Sequence, residues 1–264
     1  VTEPRAAAAL AKYLRTRSDV EGLGLFVPRG EREQLLDRLR GMGTPSAPAR
    51  GSHRVGGPVS SGDVERLACQ AAAEEIEALE DLDTVRAVAE RCVRCQLHET
   101  RQHVVFADGS PDARVMCVGE APGANEDETG LPFVGRAGQL LDRLLLSVGF
   151  RREDVYICNV IKCRPPGNRN PLEEEIERCS PFLRRQVALV APEVIVAFGT
   201  FASRTLLDMR ESLGRMRGRT HSYGGVPLIV TYHPAALLRN PNWTRPAWED
   251  LQRVRRLLEE DAGG

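Results

Sequence analysis

Cys92 and Cys95 stand three positions apart, and Cys163 and Cys179 flank a Pro-rich loop, "RPPGNRNP". Thiolates are soft metal ligands. Four of them suit zinc or an iron–sulfur cluster, and spacing alone does not separate the two. Cys117 and Cys158 lie inside apolar runs, and Cys69 lies in an Ala-rich stretch; small buried thiols are common in such places. The total of seven cysteines is odd, which argues against complete disulfide pairing. Two further polar residues stand out. Asn159 ends an apolar run, where it reads either as a binding group or as a turn cap. His233 sits in "TYHP", also directly after an apolar run.

The elements that must carry these residues follow from hydrophobic patterning. "ARVMCVGE", "DVYICNVIKC", "EVIVAFG" and "VPLIVTYHP" are short apolar runs, read as buried strands. Between them, "GRAGQLLDRLLLSVGF" places Ala137, Leu140, Leu141, Leu144, Leu145 and Val148 on one helical face. "PLEEEIERCSPFLRRQVALVAPE" is helical, with Pro181 either kinking it or opening a new helix. A helix from "TFASRTLLDM" and a closing amphipathic helix in "TRPAWEDLQRVRRLLEED" complete the pattern. Strands alternating with helices predict an α/β fold, a three-layer α/β/α sandwich around a four-stranded, mainly parallel sheet. Ligands of such sheets bind beyond the carboxyl ends of the strands. The loops "GEAPGANED", "KCRPPGNRNP" and "HPAALLRNP" should therefore meet at one rim.

Residues 1–80 read as an extension. It holds two helix-like stretches and a Gly/Pro/Ser-rich linker over about 41–63. One or two helices are expected between Val64 and Glu90, and residues 81–264 form the main domain. The chain is 42% hydrophobic and 28% charged, with net charge −1. That balance supports a core and gives no overall polycation for non-specific nucleic-acid binding. The first residues make a poor signal peptide, and no uncharged apolar run reaches membrane-spanning length. A cytoplasmic monomer is expected.

The segments "GEAPGANEDETGLPFVGRAGQLLD", "NVIKCRPPGNRNP" and "TYHPAALLRNP", with the four cysteines in order and spacing, resemble the family-four, iron–sulfur uracil-DNA glycosylases. The resemblance covers about Thr84 to the C-terminus. It implies a monofunctional enzyme that flips uracil out of DNA and hydrolyses its N-glycosidic bond. It also implies a structural 4Fe–4S cluster on Cys92, Cys95, Cys163 and Cys179, with zinc as the alternative.

On that resemblance, roles fall on particular residues. Asn159 accepts from uracil N3–H and donates to O4, whereas cytosine presents the reverse pattern. Phe133 stacks on the base, and His233 stabilises the anion that develops at O2. The best-known branch of the superfamily carries an Asp where this chain has Ala121, beside the base. Glu120 is the nearest replacement for placing the water, with Glu126 and Asp127 as alternatives. Glu126 is otherwise expected near uracil C5, excluding thymine; Asp127 and Glu128 otherwise read as a solvated acidic loop. Leu237, Leu238 and Arg239 are candidates for wedging into the duplex. Lys162, Arg164, Arg169, Arg215, Arg217 and Arg219 are candidates for phosphate contacts. Asn168 supports the pocket or merely forms a turn.

Two rival readings stand beside this one. A relative that bonds covalently to its product carries an inserted basic loop after the second motif; here "KCRPPGNRNPLEEE" has no such insertion. A non-catalytic, metal-stapled DNA-binding module of the same fold is the alternative from another class.

Overall fold

The computed structural model describes residues 61–261 apart from residue 71. The expected helices of residues 1–40, nearly all of the linker and His53 lie outside the described residues, as does the Cys69 side chain.

The four apolar runs form strands. These are β2 (Val115–Gly119), β3 (Val155–Asn159), β4 (Val194–Phe198) and β6 (Val226–Thr231), parallel in the order β3-β2-β4-β6. The sheet is nevertheless six-stranded. β1 (Asp108–Gly109) and β5 (Thr220–Tyr223) add antiparallel edges against β3 and β6. Both escaped the sequence reading because neither is an apolar run. β1 has two residues, and β5 alternates exposed with half-buried positions, as an edge strand facing solvent can.

The central strands are buried on both faces, so their apolar runs are continuous. Val115, Cys117, Val155, Ile157, Val194 and Val196 point to one side. There they meet α5 (Arg136–Ser147), α9 (Pro234–Arg239) and α10 (Thr244–Asp261). Met116, Val118, Tyr156, Cys158, Ile195 and Ala197 point to the other. That face is covered by α1 (Ser61–Gln70), α2 (Ala73–Glu77), α3 (Leu82–Glu90), α6 (Glu173–Val190), α7 (Gly199–Leu207) and α8 (Leu213–Met216). The three-layer sandwich is therefore the fold. The short helix α4 (Ala124–Thr129) lies between β2 and α5.

Two expectations change. Three helices, not one or two, span Ser61 to Glu90. Val64, Leu67, Ala68 and Ile76 belong to the same core as Phe182 and Leu183, so the packed unit begins well before residue 81. Pro181 sits inside α6, which runs unbroken from Glu173 to Val190.

Candidate functional site at the carboxyl rim of the sheet

The chain leaves β2 for β3 on one side and returns to β4 on the other. The carboxyl ends of β2 and β4 thus border the topological switch point where ligands of such sheets bind. The register pairs Gly119 with Asn159, so the first and second motifs end side by side. A Cβ on Gly119 would lie 2.3 Å from Asn159 Oδ1 and 2.5 Å from Phe133 Cζ. Only hydrogen fits between the amide and the ring, which is why glycine ends β2. Asn159 is buried, and its Oδ1 has no hydrogen-bond partner among the described residues. A lone acceptor in that position costs about 1–3 kcal/mol until something donates to it.

Phe133 has a positive φ of 52°, which a bulky side chain adopts only under constraint. The constraint is visible. Arg152 donates to the carbonyls of Pro132 (2.5 Å) and Phe133 (3.2 Å), and is itself held by Asp108 and Asp142. Glu126 accepts from the backbone N–H groups of Gly123, Val134 and Gly135. Gly138 lets the start of α5 pass beneath, since a Cβ there would lie 1.6 Å from the Phe133 carbonyl oxygen. The ring ends stacked at 5.4 Å on His233 and 6.3 Å from Phe198.

His233 caps α9. Its Nδ1 accepts from the Ala235 N–H at 3.2 Å, which leaves Nε2 to carry the proton of the neutral ring. Burial, with the nearby Arg239 charge, brings its pKa down to about 4, partly opposed by Glu126. Tyr232, the preceding residue, is stacked between Trp243 at 4.7 Å and the Arg217 guanidinium at 4.1 Å. Arg217 is fixed by a 2.6 Å ion pair with the buried Asp250. Glu120 follows Gly119; no hydrogen bond holds its carboxyl group among the described residues, and burial raises its pKa.

On the opposite face, Cys92, Cys95, Cys163 and Cys179 all line one cavity. All four are free thiols, and burial is the largest effect on each, raising Cys163 to about 11 and the others in the same direction. Arg101 donates to Cys163 Sγ at 3.3 Å and to the Cys92 carbonyl at 2.7 Å. Among the described residues, no group of three or more His, Cys, Asp and Glu side chains is arranged to hold a single metal ion. As a donor set, four thiols with basic side chains around them fit an anionic thiolate-bound group.

A family model for the uracil DNA glycosylase superfamily matches residues 106–252. A Type-4 uracil-DNA glycosylase of Thermotoga maritima is 44% identical over 184 residues, covering 68% of this chain and 96% of that protein. One from Pyrobaculum aerophilum is 45% identical over 169 residues, covering 61% and 86%. This chain belongs to the type-4 uracil-DNA glycosylases. A Type-5 uracil-DNA glycosylase of the same archaeon is more distant, 36% identical over 172 residues, covering 59% of this chain and 75% of its own.

Several residues of this type-4 family member stand elsewhere than the sequence suggested. Glu126 is engaged by three loop N–H groups, so it shapes the Phe133 loop instead of facing a base. Asp127 is no solvated acid. It is buried and accepts from the backbone of Gln102 and His103. Leu237 is fully buried against α5, which removes it as a wedge, while Leu238 is half-buried and Arg239 exposed. Lys162 is buried and cannot reach a phosphate. Arg169, Arg217 and Arg219 are paired with Glu175, Asp250 and Glu211. Arg164 donates to Asn168 Oδ1 at 2.7 Å, and Asn168 is an exposed turn residue with φ 55°. Ala121 is half-buried beside Glu120. His98, His103 and His221 bond to the backbone carbonyls of Cys95, Asp127 and Met216. Sequence reasoning missed Arg152. Its only signal was an Arg just before a buried strand, which does not reveal that it bridges two loops.

Proposed function

We propose that this protein releases uracil from DNA by hydrolysing its N-glycosidic bond, leaving an abasic site for base-excision repair. Family membership supports the activity, since its type-4 relatives are named uracil-DNA glycosylases. The observation that carries the residue assignment is the buried, unpartnered Oδ1 of Asn159 beside the Phe133 ring. That acceptor takes uracil N3–H while the same amide donates to O4. Cytosine has no N3–H and leaves it unpaired.

Each remaining group then has a task. A base inside a duplex is unreachable, so the nucleotide is first extruded into the site. Phe133 offers the face on which the pyrimidine stacks. As the bond to the sugar breaks, negative charge grows at O2, and the neutral His233 ring donates from Nε2 to it. Its low pKa keeps it a neutral donor at physiological pH. Glu120, with a carboxyl group bound to nothing else, orients and deprotonates the water that attacks the sugar carbon. Glu126 and Arg152 position Phe133. Leu238, Arg239 and the exposed Arg215 face the DNA.

A 4Fe–4S cluster on Cys92, Cys95, Cys163 and Cys179 would supply no chemistry to hydrolysis; it would tie the segment before β2 to α6 and the loop after β3. The cavity lined by all four cysteines supports it. One chain carries every group named, so a monomer suffices. No helix among the described residues is long and apolar enough to cross a membrane.

The test is release of free uracil from uracil-containing DNA, compared with His233→Ala. Loss of about 10²–10³ in turnover is expected. Binding without release points to the non-catalytic module instead, and a denaturant-stable protein–DNA adduct points to the covalent relative.

A further inference from the structure

Lys162 is 2% exposed, yet no carboxylate pairs with it among the described residues. Its ammonium donates to the Asn159 carbonyl at 2.7 Å and to Gln186 Oε1 at 2.5 Å, both neutral. Gln186 is in turn fixed by the Phe106 carbonyl (3.2 Å) and Tyr156 hydroxyl (2.9 Å). A buried cation with only neutral partners is costly, because hydrogen bonds to dipoles replace only part of its lost hydration. The missing anion lies next door. Lys162 lines the cavity of the four cysteines and directly precedes Cys163 in the chain. Among the described residues no carboxylate lines that cavity, and Arg94, Arg101 and Arg178 line it beside Lys162.

From this geometry we infer that Lys162 is the buried counter-charge of the thiolate-bound metal group and couples that group to base recognition, by holding the strand end from which the Asn159 amide projects. The inference rests on the functional reading above for what Asn159 recognises. One residue borders both sites: it lines the cysteine cavity, and its side chain meets the backbone of the recognition residue. With the anionic group in place, the ammonium is compensated and the Asn159 carbonyl is clamped. With the group lost, the ammonium has no partner of opposite charge and is driven toward water, releasing the clamp. Lys162 is thus a positioning residue and touches no reacting atom.

The experiment compares the metal-loaded wild type with Lys162→Met and Lys162→Gln. Three quantities are read: iron per chain, the midpoint potential of the bound metal group by protein-film voltammetry, and inhibition by free uracil. Both variants are expected to show a more negative midpoint, since removing a positive charge disfavours the more negative, reduced state. A merely structural role would not move it. Lys162→Met should also raise the uracil inhibition constant about tenfold, the worth of one charge-assisted hydrogen bond. Lys162→Gln keeps a donor without the charge and should raise it less. If Lys162→Met does not accumulate folded, Lys162→Gln carries both readouts. A midpoint unchanged in the variants overturns the counter-charge, and wild-type uracil inhibition overturns the coupling. Wild type that purifies with zinc and no iron overturns the proposal too. Wild type with iron and a shifted variant midpoint, but no uracil release, sinks the functional reading and leaves the counter-charge standing.

Discussion

Asn159 and Gly119 form one unit. The amide lies where a side chain on Gly119 would be, so Gly119→Ala forces Asn159 or Phe133 to move. We expect Gly119→Ala to lower kcat/KM for uracil release at least 100-fold while circular dichroism stays native. Asn159→Ala should lose a similar factor, because its absence leaves the uracil N3–H and O4 without partners. Steady-state release from a uracil oligonucleotide measures both. His233 makes a separate prediction. Its folded pKa of about 4 lies below the usual histidine value, so between the two the unfolded chain binds more protons. Stability therefore falls as pH drops from about 6.5 toward 4. The His233 ring stays neutral until pH nears 4, since a protonated ring would lose its Nδ1 acceptor. Single-turnover rates should hold from pH 7 to about 5 if His233 alone set the limb. Glu120, whose pKa burial raises, brings the fall on at higher pH, and Glu120→Gln should lower the rate across the whole range.

Arg152 joins the start of β3 to the loop that carries Phe133, through two carbonyls and two carboxylates. Without it, Phe133 keeps a positive φ with less to hold it there. Arg152→Met should cost roughly 1.5–3 kcal/mol in denaturant unfolding, from losing charge-assisted bonds. It should also raise KM more than it lowers kcat, because the platform loosens while His233 and Asn159 stay in place. Equal losses in both would remove Arg152 as a positioning residue. The strand ends are positioned differently. β2 and β3 continue pairing past their ends, with Val160 N–H to the Gly119 carbonyl at 2.9 Å and Ile161 N–H to that of Glu120 at 3.2 Å. The rim is consequently held by main-chain bonds at Asn159 and Glu120, and by the side chains of Arg152 and Glu126 at the Phe133 loop.

Across the molecule, the cysteine cavity and the base site lie on successive parts of one segment, from Asn159 through Cys163. A bound group there ties α3 and its following loop to α6. Cys179→Ser should therefore lose iron and lower the melting temperature by roughly 5–10 °C, corresponding to ~2–3 kcal/mol in a domain of this size. Iron analysis and calorimetry on the same preparation measure it. Retention of iron with an unchanged melting temperature would remove Cys179 from the ligand set. Val64, Leu67 and Ile76 share one core with Phe182 and Leu183 of α6.

Much of this was already fixed by the chain itself. Continuous apolar strands can only be buried on both faces, so β2, β3, β4 and β6 and their sandwich were legible, as was α5 from its spaced leucines. That Asn159, Phe133 and His233 come together, and that the four cysteines share one cavity, was legible because their residue types and order are characteristic of one family. Other features depended on folding. β1 and β5 have no apolar run, because an edge strand needs burial on one side at most. The fates of Asp127, Leu237 and Lys162 could not be read, because a carboxylate, a leucine or a lysine in a loop has the same local sequence whether it faces water or the core. Packing of distant segments decides which, and it placed Lys162 between the cysteines and Asn159, where burial gives its charge a meaning the sequence alone did not carry.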